Sequence, residues 1–235
     1  MDMKRRSFLK GSAAASGLAL AAGAFSVPEA WAAPRPDGRI VTPADALMYL
    51  REGNARWASG DTQRKTYAPP GQSPEAGQWP FAAIVSCSDS RVVPEDMFDV
   101  AGKNLFIIRN AGNVVDDVTM GSLEYAVEHT GIALIVALGH TNCGAVKATQ
   151  GSLETGTMPG GFVDAIVERI SPAVVALPAD HTLDEAIAAN AAQSAQQIQD
   201  RSPIIAAATD AGTSPATVGI VRAVYGLSSR VVTFF

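Results

Sequence analysis

Cysteine is nearly absent from this chain: 235 residues contain two, Cys87 and Cys143. So small a number rules out a disulfide framework and leaves one bridge at most. Histidine is as sparse, with three residues. No excess of positive charge exists either, since 18 Lys and Arg stand against 23 Asp and Glu for a net charge of −5, and no basic run interrupts the sequence. Nucleic acid is therefore not expected as a partner. There is no internal repeat, and no long apolar run follows residue 28. A repeat array and a multi-span membrane protein are left without support.

The amino terminus has a composition of its own. Lys4, Arg5, Arg6, Ser7, Phe8, Leu9 and Lys10 precede an uncharged run rich in Ala, Gly and Ser, and Ala30, Trp31 and Ala32 make an A-x-A site. Residues 1–32 read as a twin-arginine export signal, which places the mature protein in the periplasm or outside the cell. The competing reading is an amino-terminal membrane anchor at residues 11–28, but that run is short and heavy in small residues for a span of about 20 apolar positions. Removing residues 1–32 takes away four basic and two acidic residues, so 14 Lys and Arg remain against 21 Asp and Glu, a net charge of −7.

With 47% hydrophobic and 17% charged residues, the remainder suits one domain with a full core. Residues 33–41 form a Pro-containing linker and 42–235 the domain. Thr42 and Pro43 pair as an N-cap and first-turn residue, opening a helix whose apolar face carries Ala46, Leu47, Leu50 and Trp57. Positions 60–80, rich in Gly, Pro, Gln and Ser, read as a long loop, suited to wrapping a partner subunit. Short β-branched runs follow at 82–86, 105–108, 133–138, 218–224 and 231–235, with helical patterns at 119–129, 162–175 and 183–200. Continuous apolar strands alternating with helices predict an α/β domain: a mostly parallel central sheet flanked by helices on both faces. The last two strands, joined by a Gly- and Ser-containing turn, predict a hairpin at the sheet edge.

Both cysteines lie in loaded surroundings. Cys87 begins CSDSR, and Cys143 follows His140 in GHTNCGA. Thiolate and imidazole suit a borderline-soft ion such as zinc, and three protein ligands leave a fourth tetrahedral position open, as in catalytic sites. Cys87 and His140 each directly follow an apolar run, so both are expected at carboxyl ends of strands, where open α/β sheets gather their ligands. In an extended stretch Cys87, Asp89 and Arg91 would share one side, favouring a strand end or loop in which Arg91 forks onto Asp89. That pairing predicts a low Asp89 pKa. The plainer readings are a disulfide between Cys87 and Cys143, and an ordinary loop ion pair for Asp89 and Arg91.

CSDSR, RNAGN at 109–113, SLEYAV at 122–127 and GHTNCGA at 139–145 resemble, in order, the signature blocks of the beta-class carbonic anhydrases, and the similarity extends from LREGNARWASG at 50–60 to the closing AVYGLSSRVVTFF. The resemblance implies one zinc ion per subunit on Cys87, His140 and Cys143, with Asp89 and Arg91 as a dyad beside it. It implies reversible hydration of carbon dioxide to bicarbonate and a proton by zinc-bound hydroxide, in a close homodimer or higher homo-oligomer. One subgroup of the family leaves the Asp off the metal and lines its pocket with a Gln, a Phe and a Tyr, matched here by Gln78, Phe106 and Tyr125. The other places a Trp and a Gly where this chain has Ile84 and Ser86 and has a closed form in which the Asp binds zinc. The open form is therefore expected, with Gln78 holding a substrate oxygen. Ala111 stands where the open subgroup often has a bulkier residue.

Further readings complete the set. The Gly144 amide, beside the metal loop, either serves the backbone or donates to bound bicarbonate. Arg109 and Asn110 are polar anchors after a strand. His129 and His181 are taken as surface residues. Two alternative functions remain: hydrolysis of carbonyl sulfide or carbon disulfide on the same scaffold, and a non-catalytic zinc-stabilised oligomer. Amino-terminal sequencing of the secreted protein is expected to begin at Ala33; a start at Met1 in the membrane fraction would establish the anchor instead.

Overall fold

The computed structural model describes residues 41–63, 77–210 and 218–235. The expected export signal, linker positions 33–40 and loop positions 64–76 lie outside the described residues.

The order of elements is α1 (Pro43–Ser59), β1 (Ala82–Cys87), α2 (Pro94–Met97), β2 (Leu105–Asn110), a 3-10 turn (Ala111–Asn113), α3 (Asp117–Thr130), β3 (Leu134–His140), α4 (Gly144–Thr155), α5 (Val163–Val175), α6 (Leu183–Arg201), α7 (Pro203–Thr209), β4 (Gly219–Tyr225) and β5 (Val232–Phe234). Every expected strand and helix forms, with ends displaced by no more than two residues. Three helices are additional. α2 and α7 are short and each opens on a proline. α4 has too many Gly and Thr residues to show an apolar period, and it forms as the continuation of the Cys143 loop.

One five-stranded sheet runs β2-β1-β3-β4-β5, with the first four strands parallel and β5 antiparallel to β4 across the closing hairpin. β1 and β3 are buried at every position, which is why they read as unbroken apolar runs. Alternation divides them between two layers. Ala82, Ile84, Leu134, Val136 and Leu138 pack on Ala46 and Leu50 of α1 and on Phe98. Ala83, Val85 and Ile135 pack on the other face against Leu123 and Ala126 of α3, Ile198 of α6 and Ile205 of α7. α1 and α6 both begin with a full capping box, Thr42 with Asp45 and Thr182 with Glu185, so the entry of each covering helix is set locally.

α1 is fastened to the sheet by close contact. A Cβ on Gly53 would lie 1.7 Å from the Phe98 carbonyl oxygen, so nothing larger than glycine lets α1 approach the turn after α2. Beside it, buried Asn54 donates to the carbonyls of Met97 at 3.1 Å and Arg230 at 3.0 Å and accepts from the Val232 amide at 2.8 Å. One side chain thus joins α1, α2 and the carboxyl-terminal hairpin. Gly53→Ala is expected to destabilise the fold by about 3 kcal/mol through overpacking, read as a lowered urea midpoint.

Candidate metal centre

Parallel pairing of β1 with β3 aligns Ser86 with Leu138, so the chain leaves both strands at the same edge of the sheet. Cys87 ends β1, His140 ends β3, and Cys143 is the N-cap residue of α4 three positions later. The two Sγ atoms and an imidazole nitrogen all lie within 4.8 Å of one another. All three residues are buried, with His140 fully enclosed. Val114, Val146, Ile170 and Ile187 pack around them, making the walls apolar.

Hydrogen bonding sets the tautomer of His140. Its Nδ1 is 3.0 Å from the Thr141 carbonyl, which can only accept, so Nδ1 carries the proton and Nε2 offers a lone pair. That Nε2 is buried and has no hydrogen-bond partner. Both thiols are free, so the disulfide reading does not hold in this fold. Cys87 is held well below the ordinary thiol pKa, first by a hydrogen bond from Cys143 and also by the Gly112 amide, against the opposing effect of burial. Cys143 is raised because it holds the proton shared with Cys87 and is buried. An unpartnered imidazole lone pair facing one ionised and one ionisable thiol fits a divalent, borderline-soft cation such as zinc.

The residues after Cys87 depart from the alternating geometry. The strand ends at Cys87 and the chain turns, with the Val92 amide donating to the Asp89 carbonyl at 2.9 Å. Arg91 faces Asp89 because the turn folds it back. Its Nε and second guanidinium nitrogen donate to the two carboxylate oxygens at 2.9 and 2.7 Å, and its amide donates to Asp89 Oδ1 at 3.0 Å. This grip holds the Asp89 carboxyl well below the usual carboxylate range. Both oxygens are engaged by Arg91, and Asp89 lies outside the three-ligand group. Arg109 supports the segment from β2, donating to the carbonyls of Cys87 at 3.2 Å and Asp89 at 2.7 Å. Its anchoring role is therefore directed at the site itself. The Gly112 amide donates to Cys87 Sγ at 3.3 Å, a contact with no signal in the motif.

Gly144 opens α4 next to Cys143 and so borders the ligands. The other expected pocket residues are not brought to them within one chain. Phe106 of β2 pairs with Ala83 of β1, four residues or about 13 Å of strand before the Asn110 that pairs with Cys87. It lies against Tyr125 of α3, ring centroids 6.2 Å apart, and Tyr125 is 43% exposed. Gln78 is exposed and borders an open groove of about 880 Å³ with Val93, Glu95, Lys103, Leu105 and Ile107, which none of the three ligands lines. His129 and His181 are partly exposed; His129 packs on Tyr125 at 4.8 Å, and His181 Nδ1 is 2.7 Å from the Pro178 carbonyl.

Comparison with known proteins agrees with this architecture. Residues 82–232 match the sequence family described as carbonic anhydrase. Carbonic anhydrase of Mycolicibacterium smegmatis is 39% identical over 179 residues, covering 73% of this chain and 84% of that protein. Carbonic anhydrase 2 of Mycobacterium tuberculosis is 43% identical over 139 residues, 57% of this chain and 65% of that protein, so the chain spans just under two thirds of that relative's length. Among solved structures, a Coccomyxa beta-carbonic anhydrase in complex with acetazolamide superposes with a TM-score of 0.61 at 28% identity, covering 80% of this chain and 85% of that one. A tetrameric beta-carbonic anhydrase of Sordaria macrospora shares the fold at a TM-score of 0.58 and 20% identity, over 81% and 97% of the two chains.

A depressed carboxyl pKa contributes stability that is present above the unfolded value of about 3.9 and is lost only as pH falls through the folded value. Carbon-13 NMR of the Asp89 carboxyl should accordingly show it ionised at pH 4. In Arg91→Ala the midpoint should move up toward the ordinary range. A wild-type carboxyl half-protonated near pH 4 would contradict the geometry.

Proposed function

The chain belongs to the beta-class carbonic anhydrases, and from that premise we propose that it catalyses the reversible hydration of carbon dioxide to bicarbonate and a proton. The observation that carries this reading is the buried Cys87, His140 and Cys143 triad, with the unpartnered His140 Nε2, next to a carboxylate already committed to an arginine. A zinc ion held by these three residues, one per subunit, would supply Lewis acidity and bring the pKa of a coordinated water toward about 7.

The chain's own residues account for the rest. Arg91 keeps Asp89 ionised and off the metal, the open arrangement. Asp89 Oδ1 takes two bonds from Arg91 and Oδ2 takes one, so Oδ2 retains an acceptor position and can accept a hydrogen bond from the attacking oxygen, leaving a lone pair facing the substrate. Carbon dioxide carries no charge, and the apolar walls from Val114, Val146 and Ile170 admit it while keeping bulk water out. As the new C–O bond forms, one C=O electron pair moves onto oxygen. The products are bicarbonate and a proton passed to solvent, and the Gly144 amide stands beside the ligands as a donor for the product anion.

The working unit in this reading is a homodimer or a larger assembly. Phe106 and Tyr125 lie far from their own ligands, and Tyr125 is exposed, which suits them to complete a second subunit's pocket together with Gln78. The export signal at residues 1–32 directs the protein to the periplasm or the medium. Twin-arginine transport of folded protein would let the two buried thiols take up metal before meeting an oxidising compartment. Among the described residues no helix is long and apolar enough to cross a membrane.

The decisive experiment is a stopped-flow pH-indicator assay on zinc-loaded protein, with metal analysis of each variant. Cys87→Ser, His140→Ala and Cys143→Ser should lose zinc and activity together. Asp89→Asn should retain zinc and lose about 100-fold or more in turnover, because the amide can donate where an acceptor is needed. Full activity in Asp89→Asn, or turnover of carbonyl sulfide in place of carbon dioxide, would overturn the assignment. Zinc binding without either turnover would leave a metal-stabilised structural protein.

A further inference from the structure

Two polar side chains on α6 are buried behind the metal centre: Asn190 and Ser194 are 1% and 2% exposed. Asn190 Nδ2 donates to the Gly112 carbonyl at 2.8 Å. Ser194 Oγ donates to the Asn113 carbonyl at 3.0 Å and accepts from Asn113 Nδ2 at 3.4 Å. Gly112 and Asn113 are both left-handed, with φ of 75° and 47°, a backbone shape open to glycine and, among other residues, favoured by asparagine. A Cβ on Gly112 would meet Ile170 Cδ1 at 2.7 Å and Ala145 Cβ at 3.0 Å, so the turn is also wedged between α4 and α5. The amide of this same Gly112 donates to Cys87 Sγ. One peptide segment is thus gripped by α6 through its carbonyls while its N–H addresses a metal-ligating sulfur.

We propose that Asn190, assisted by Ser194, is a positioning residue for the metal centre: by latching the 112–113 turn it keeps the Gly112 N–H aimed at the Cys87 sulfur. The inference rests on the reading of Cys87, His140 and Cys143 as metal ligands. Its physical content is that an N–H donor draws electron density from a thiolate, so its alignment sets how strongly Cys87 donates to the ion, and outer partners of this kind govern metal retention. Two thiolates and a neutral imidazole cancel the charge of a divalent ion, which makes hydrogen bonds to sulfur a main control left over its Lewis acidity.

The test uses full-length protein loaded with cobalt(II), whose thiolate-to-metal charge-transfer band reports electron donation by sulfur. Asn190→Leu keeps the number and branching of the side-chain heavy atoms and removes the donor. Its band should move to longer wavelength, and a chelator should strip the metal about 10- to 100-fold faster than from wild type. Ser194→Ala should shift the band in the same direction by less. Gln193→Ala, on the same helix and bonded to the Arg169 carbonyl, should leave the band in place. An unshifted band in Asn190→Leu overturns the proposal even if its unfolding midpoint falls, since lost packing alone would do that. If Asn190→Leu does not fold, an unshifted band in Ser194→Ala overturns it instead. Wild-type protein that binds neither cobalt nor zinc would defeat the metal reading and the inference together. Metal-binding, active protein with unshifted variant bands would defeat the inference alone.

Discussion

Two sulfurs and an imidazole nitrogen, enclosed by apolar side chains and lacking enough partners among themselves, are the constraint on which this structure turns. A buried lone pair without a hydrogen-bond donor is costly, and a buried thiolate more so. The His140 tautomer makes the shortage worse by spending its N–H on the Thr141 carbonyl. A cation would supply the partner that His140 Nε2 lacks and neutralise the buried Cys87 thiolate at once. The fold is arranged to deliver them to one point: parallel pairing brings two strand ends level, and the start of α4 adds the third ligand.

Around that point the backbone is held by polar side chains drawn from different layers. Arg109 fixes the carbonyls on either side of Ser88, Arg91 fixes the carboxylate of its own turn, and Asn190 and Ser194 fix the turn that addresses Cys87. Most of these bonds go from side chain to backbone. This is how a loop is made as rigid as the strand it follows, and it explains how so compact a site can stand on segments without regular structure.

The strands were legible because β1 and β3 are buried on both faces, so their runs AAIV and LIVAL contain nothing polar before the ends that carry Cys87 and His140. The ligands were legible because cysteine and histidine are scarce enough for their spacing to carry meaning. The turn at Asp89 was not, since period-two alternation and a reversed loop both bring Arg91 to Asp89 and only the backbone tells them apart. α4 stayed hidden because Gly144, Thr149 and Gly151 dilute any apolar stripe. Asn190 and Ser194 left one faint trace: two polar residues four apart in the alanine-rich stretch of α6, a spacing that puts both on one face. The separation of Phe106 and Tyr125 from the Cys87, His140 and Cys143 group had no trace at all, because a short motif does not say how far along the sheet its residues lie from a distant one.

The difference in exposure between ligands and dyad divides the site's sensitivity to the medium. The Arg91 side chain is 53% exposed, while His140 is fully enclosed. Dissolved ions screen charges that water reaches over about 10 Å at 0.1 M and about 3 Å at 1 M, so only molar salt acts on a pair in contact, and ions cannot enter a sealed apolar recess. Concentrated salt would therefore act on the orienting Asp89–Arg91 pair while leaving the enclosed Cys87, His140 and Cys143 side chains untouched.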